Sequence, residues 1–323
     1  MSIDLGRGRE NRLRLFVLGS AAGGGYPQWN CLCDVCRLYW AGDGRVNARG
    51  QSSIAASADG RSWLLLNASP DLRQQILASP RLSPGACLAG HSAESGAATK
   101  RATPIGAVLV TNGDVDHIAG LLTLREKQRL PLYGTAGVLG MIAGSPVFQV
   151  LDPAFVDKRA VTIGEAFEPV PGLAVEIFSV PGKVPLFMET GEVDVGEESE
   201  MTVGVKLSAH GRTAFYIPGC AHLPESLKAR IRGADALLFD GTLFADDEMR
   251  RAGVGEKTGR RMGHMPITGE GGSLDAFDGL GIGRKAYIHI NNTNPILIEG
   301  SNERNTVEAA GWTVTNDGME IAL

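Results

Sequence analysis

The stretch Gly106-Ala-Val-Leu-Val-Thr-Asn-Gly-Asp-Val-Asp-His-Ile-Ala-Gly-Leu-Leu-Thr-Leu-Arg-Glu126 decides how the chain is read. Ala107 to Thr111 is a short apolar run of the kind that forms a strand buried on both faces. Asn112-Gly113 interrupts it with residues that accept turn geometry. Ile118, Leu121, Leu122 and Arg125 then fall at helical spacing, so Asp114 to His117 are expected in a loop between strand and helix. Proteins that alternate strands and helices place their chemistry in such loops, at the carboxyl ends of strands. Two carboxylates and an imidazole within four residues have two physical explanations. Asp114 or Asp116 caps the helix in water, or the group holds a metal.

The same rhythm continues on both sides. Residues 13–18 read as a strand that runs into the small-residue loop 19–25, where glycine permits close approach to another part of the chain. No Gly-Lys-Ser/Thr follows, so a nucleotide-phosphate loop is disfavoured. Residues 52–57 and 62–67 read as paired strands around Asp59-Gly60, and Ala68-Ser-Pro-Asp71 opens a helix. Residues 84–103 look like a surface loop with His91 exposed. Beyond the central stretch, strands are expected at 132–134, 162–168 and 173–180, and a helix at 136–142. The acidic run 189–200 reads as a solvated flap, since it lacks the spacing of a calcium loop. Residues 202–208 and 213–217 form a hairpin around His210-Gly211. Cys220 and His222 follow one strand end, and Asp240 ends the strand 234–239. His264 precedes a helix expected from about Ile267, and His289 lies on the strand 285–290. Residues 312–315 and 319–323 are expected to close the chain as a hairpin.

Cys31-Leu-Cys33-Asp-Val-Cys36 is the most specific local signal. Three thiols within six residues can face one point if the chain turns around it, and thiolates bind zinc tightly. A structural zinc is expected there, with its fourth ligand from elsewhere; buried reduced cysteines and a redox trio are the alternatives. Cys87 and Cys220 stand apart, and an odd count of five cysteines speaks against a disulfide framework.

Composition sets the limits. The 323 residues are 43% hydrophobic and 21% charged, which allows a sizeable core. A net charge of -5 argues against a general nucleic-acid or membrane-surface binder. There is no run of about 18 apolar residues, so no membrane insertion is expected. The polar start of the chain has no hydrophobic signal core, which makes the cytoplasm the expected location.

Polar side chains at successive strand ends, with the motif Asn112-Gly-Asp114-Val-Asp116-His117, resemble the metallo-β-lactamase superfamily. Cys-x-Cys-x-x-Cys, Asp-x-Asp-His-x-x-Gly-Leu-Leu, Val-Pro-Gly-Lys-Val, Gly-His-Met-Pro and His-Ile-Asn-Asn-Thr-Asn-Pro together are similar to its B-protein family of coenzyme PQQ (pyrroloquinoline quinone) synthesis. The resemblance implies an α/β fold, an αββα sandwich of two mixed β-sheets flanked by helices. Residues 15–323 would form that one domain, after a polar extension over 1–14. In hydrolytic members the first two signature positions are histidines, and here they are Asn112 and Asp114. Cys220 takes the place of a bridging aspartate. What survives of the metal positions is Asp116, His117 and His289. Two histidines and a carboxylate with open positions suit non-haem Fe(II) and O2. The resemblance therefore implies an iron oxygenase that hydroxylates the tyrosine ring of a Glu-Tyr precursor. Asp114 would be a further or orienting ligand, and His222 and His264 proton-transfer or carboxylate-binding groups aided by the helix after His264. In a related phosphodiesterase a histidine three residues past the last metal histidine completes the zinc site, and that register here is Asn292.

Two other functions stay open at this point. One is a carrier that binds finished PQQ and assists its transport to the periplasm; the other is a metal-dependent hydrolase of the pathway. A homodimer is among the assemblies the sequence leaves open.

Overall fold

The structure, a computed structural model, describes residues 11–88, 101–189 and 195–323. The expected loop around His91, most of the polar extension and the middle of the acidic run lie outside the described residues.

Fourteen strands are distributed over two sheets among the described residues. The first sheet is built from β1 (Arg14–Gly19), β2 (Ser53–Ser57), β3 (Trp63–Leu66), β4 (Ile105–Leu109), β5 (Leu130–Gly134) and β6 (Val156–Ala160). The second contains β7 (Ala166–Val170), β8 (Leu173–Gly182), β9 (Glu197–Ala209), β10 (Arg212–Ile217), β11 (Ala236–Asp240), β12 (Arg284–Ile288) and β13 (Trp312–Val314). β14 (Glu320–Ala322) returns to the first sheet, giving the orders β14-β1-β2-β3-β4-β5-β6 and β13-β12-β11-β10-β9-β8-β7.

The period-2 alternation of strand side chains divides each sheet between two cores. Leu64, Leu66 and Leu109 of the first sheet meet Val205, Leu238 and Ile288 of the second in the seam between them. Trp63, Leu65 and Val108 face the other way, onto the helices Leu72–Ala78 and Ala136–Gly144. Leu237, Phe239 and Tyr287 point out from the second sheet, toward the helices Glu225–Ile231 and Asn302–Ala309. Both faces of both sheets are therefore covered, which explains the near-continuous apolar runs in β3, β4 and β11. This is the αββα sandwich.

β3, β4 and β5 run parallel, as do β10, β11 and β12. Their carboxyl ends bring the loops after β4, β10, β11 and β12 to one edge. At that edge the small-residue loop after β1 makes its close approach: a side chain at Gly23 would sit 3.5 Å from Asp116 Cγ.

Several expectations need correction. Residues Pro84–Leu88 are helical rather than loop. The expected strand at 162–168 resolves into β6, ending at Ala160, and β7 from Ala166. Glu197, Glu198 and Glu200 belong to β9, and Glu189 is paired with Lys183 instead of standing in solvent. The last two strands do not pair with each other: β13 lies parallel to β12 and β14 antiparallel to β1. Trp312 and Ile321 each complete a different core, so the chain crosses between sheets at 315–319.

Candidate metal centre

The signature loop is shorter than its sequence implied. Asp116 and His117 already lie within a one-turn helix, Val115–Ile118, which continues as the 3-10 segment Ala119–Leu124. Asp114 occupies the capping position, but its side chain makes no capping hydrogen bond. Simple helix capping by Asp114 is thereby set aside. The turn is pinned to the start of the Leu72–Ala78 connection by Ala68 N donating to His117 O (2.7 Å) and Gly120 N donating to Ala68 O (2.8 Å). Gly120 is required there, because a Cβ would fall 2.1 Å from Ser69 O.

The tautomer of His117 follows from its neighbour. Asn112 Oδ1 accepts from Asp114 N (3.1 Å) and Asn112 Nδ2 donates to Asp114 Oδ2 (2.9 Å), which fixes the amide orientation. His117 Nδ1, 2.6 Å from the same Oδ1, must therefore donate. Its Nε2 is left as a bare lone pair, buried and without a hydrogen-bond partner. Burial, opposed by the Asp116 charge, pushes the His117 pKa down to about 4, so the ring is neutral near pH 7.

His289 is held in the same way from the opposite sheet. It follows β12 with a left-handed φ of 59°, a conformation that costs a non-glycine residue energy and tends to mark functional positions. Thr242 donates its single hydroxyl proton to Asp240 Oδ1 (2.6 Å), so His289 Nδ1, 2.8 Å from Thr242 Oγ1, donates to Thr242. His289 Nε2 then faces Asp116 Oδ2 at 3.1 Å. Without a metal that nitrogen carries a proton shared with the carboxylate. Burial opposes the charge on His289, but the Asp116 contact outweighs it and raises the pKa. Burial likewise opposes ionisation of Asp116, and its two histidine neighbours overcome it.

One ligand atom each from Asp116, His117 and His289 lies within 4.8 Å of the others. Two imidazole nitrogens with fixed tautomers and an ionised carboxylate converge, and one of the nitrogens is buried with nothing to bond. This donor set fits a divalent transition metal.

A second arrangement adjoins it. Asp240 is fully buried and accepts from Cys220 N (3.0 Å), Thr242 N (3.1 Å), the Thr242 hydroxyl and His264 Nδ1 (2.7 Å). Burial works against its charge, while His264 and these donors hold it below the usual carboxylate range. The His264 ring stacks on His289 with centroids 5.1 Å apart. His264 is not at a helix amino terminus, as the sequence suggested. Gly263, Gly269 and Gly271 take left-handed φ values, Pro266 intervenes, and the next helix starts only at Ser273.

Asp114 is partly buried against Asn112, and burial together with Asp116 raises its pKa. His222 is exposed, its ring against Gly196, and stands outside the cluster. Cys220 is buried and its thiol is turned to His222 O (3.0 Å). Thr242 went unread in the sequence as an orienting group, although the Asp240-Gly-Thr242 strand end was its visible signal.

Cys31, Cys33 and Cys36 form a separate buried cluster, with sulfurs within 4.8 Å of one another. Asn292 closes it, its Nδ2 at 3.2, 3.9 and 3.4 Å from the three sulfurs. Hydrogen bonds from Cys33 and Asn292 lower the Cys36 pKa against the effect of burial. The amide offers nitrogen or oxygen by a half-turn of its terminal torsion. The three thiols are three of the four ligands of a closed tetrahedral zinc site, and the Asn292 amide is the fourth group set against them.

A family model described as a β-lactamase superfamily domain matches residues 62–290. Coenzyme PQQ synthesis protein B of Methylorubrum extorquens (strain PA1) is 56% identical over 311 residues, covering 96% of this chain and 100% of that protein. The protein of the same name from Rhizobium meliloti (strain 1021) is 54% identical, with 96% and 98% covered. The crystal structure of Zn(2+)-bound PqqB from Methylobacterium extorquens superposes with a TM-score of 0.90 over 96% of this chain and 100% of that one, at 56% identity. A diphosphatase of the PhnP family, 21% identical, shares the fold with a TM-score of 0.67 over 97% of each chain.

Proposed function

The chain belongs to the coenzyme PQQ synthesis protein B family of the metallo-β-lactamase superfamily, and on that premise we propose that it acts in PQQ biosynthesis as an iron(II)- and O2-dependent hydroxylase. The substrate is the tyrosine ring of a Glu-Tyr precursor. One oxygen atom enters a ring C–H bond, and the other leaves as water with two electrons and two protons from an external reductant.

The observation that carries this reading is the donor set itself: His117 Nε2, His289 Nε2 and Asp116, with Asn112 and Asp114 at the two preceding positions of the signature. Asp116, His117 and His289 would hold ferrous iron, which would supply the activation of O2. Everything else is assigned to the chain. Asn112 and Thr242 hold the imidazole tautomers, and Asp114 orients Asn112. His264, its Nδ1 engaged by Asp240, accepts the phenol proton on Nε2. The Cys31, Cys33, Cys36 and Asn292 site holds a structural zinc and takes no part in the chemistry.

The test is anaerobic loading with Fe(II), then addition of glutamyl-tyrosine and O2, with products read by mass spectrometry. A product heavier by one oxygen atom is expected, absent from Asp116→Ala and His289→Ala proteins that remain folded. Cleavage with Zn(II) or Mn(II) and no need for O2 would replace the oxygenase with a hydrolase. Tight PQQ binding by an iron-loaded protein that yields no product would replace it with a carrier.

A further inference from the structure

The segment after β8 brings a lysine against the metal centre. A side chain at Gly263, next to His264, would lie 3.2 Å from Lys183 Cγ, and one at Gly113, next to Asp114, would lie 3.1 Å from Pro185 Cγ. Lys183 is also among the charges that act on Asp114. Its Nζ donates to Glu189 Oε1 (2.8 Å) and Val184 O (3.2 Å), and both members of the ion pair are largely buried, with side chains 13% and 12% exposed.

Two further cations face the same carboxylate. Lys257 Nζ lies 3.7 Å and Arg261 Nη2 3.6 Å from Glu189 Oε2. At those distances they feel the charge but make no hydrogen bond to it. Their side chains are 41% and 43% exposed. Among the described residues, no hydrogen bond engages the Lys257 ammonium or the Arg261 guanidinium. Three cations thus surround one carboxylate, and the two outer ones are partly exposed. The group carries a local excess of two positive charges on a chain whose net charge is -5. Glu189 marks by its own position where a carboxylate is stable.

We propose that Lys183, Lys257 and Arg261 form a carboxylate-binding subsite at the mouth of the metal centre, with Glu189 as the in-chain counter-ion that fixes Lys183 and leaves Lys257 and Arg261 for the ligand. The choice of an acidic peptide as that ligand rests on the hydroxylase reading; the subsite rests on the charges. A guanidinium suits the task because it meets a carboxylate with two parallel N–H donors.

The test is calorimetric titration of the full chain loaded with Zn(II), which is redox-inert, so that binding is read without turnover. The probes are glutamyl-tyrosine and glutaminyl-tyrosine amide, which is the same dipeptide with every carboxyl converted to an amide. Wild-type protein should bind the acid at least about tenfold more tightly than the amide, and the difference should shrink as salt is raised. The double variant Lys257→Met/Arg261→Met should lose about tenfold for the acid and nothing for the amide. Glu189→Gln, which removes the competing carboxylate, should tighten the acid several-fold. Equal affinities for acid and amide in the wild type would overturn the subsite without recourse to any variant. So would no binding of either probe, or a double variant that weakens both alike. Carboxylate-dependent binding in a protein that forms no oxygenated product with Fe(II) would sink the hydroxylase and leave the subsite standing.

Discussion

Asn112 and Thr242 each accept the Nδ1 proton of one imidazole and thereby decide which nitrogen is free for a metal. Thr242 does more, since its own proton goes to Asp240, and that direction is what makes it an acceptor for His289. Thr242→Val keeps the shape and removes the acceptor, leaving a buried N–H without a partner. Metal affinity should fall about 10–100-fold, with Thr242→Ser restoring most of it. Competition titration with a chromophoric chelator measures this directly. A valine variant that binds metal like the wild type would show that His289 does not depend on its neighbour for orientation. That Asp116, His117 and His289 come together was legible in the sequence, because Asp116 and His117 sit in a recognisable register and His289 ends an apolar strand. Thr242 was not, because the Asp240-Gly-Thr242 strand end marks a polar site without showing which histidine, 47 positions away, its hydroxyl orients.

At the scale of elements, the segment after β12 carries His289 and Asn292 within four residues, and a buried glutamate anchors it. Thr293 Oγ1 donates to Glu248 Oε1 (2.6 Å), Asn291 Nδ2 donates to Thr293 Oγ1 (2.7 Å), and Phe244 N donates to Glu248 Oε2 (2.7 Å). Among the described residues no cation forms an ion pair with Glu248, and burial raises its pKa to about 7 against these hydrogen bonds and the charge of Arg251. A carboxyl whose folded pKa lies above its unfolded value favours the fold while protonated. Its contribution is therefore complete below about pH 4.5 and is lost as pH rises through about 7. The span corresponds to about 3 kcal/mol. Glu248→Gln should gain on the wild type by up to about that amount between pH 4.5 and 8. Urea unfolding at both ends of the range tests it, and a difference that does not change with pH would refute it. Elements also mark the limit of local reading. Length and hydropathy found the central strands of both sheets. They could not tell that Trp312–Val314 and Glu320–Ala322 join different sheets, since both are three-residue strands of the same apolar character.

On the scale of the whole molecule, the cysteine cluster joins what the topology keeps apart. Cys31, Cys33 and Cys36 lie in the long connection from β1 to β2 of the first sheet, and Asn292 follows β12 of the second. A layered α/β structure was legible in the alternation of apolar strands with helices, whereas its division into two sheets as an αββα sandwich was implied only by the family resemblance. The bridge was half legible: the thiols announced themselves, but no ordinary rule makes an asparagine their partner. If zinc closes this site, it cross-links positions 31 and 292, and its binding energy is folding energy for the loop it gathers. Cys36→Ser should lower Tm by about 5 °C or more. It should also expose the connection between residues 22 and 48 to protease before the rest of the chain unfolds. Because Asn292 stands three residues after His289, the same variant should weaken metal binding at Asp116, His117 and His289, although none of those residues is altered. Thermal scans, timed proteolysis with fragment mass analysis and the chelator competition read the three effects separately. A variant with unchanged Tm and an uncut connection would show that packing of Tyr26, Val35 and Val46 into the outer core holds that loop without the metal. Loss of Tm alone, with metal affinity at the centre intact, would confine the bridge to stability and uncouple it from the chemistry.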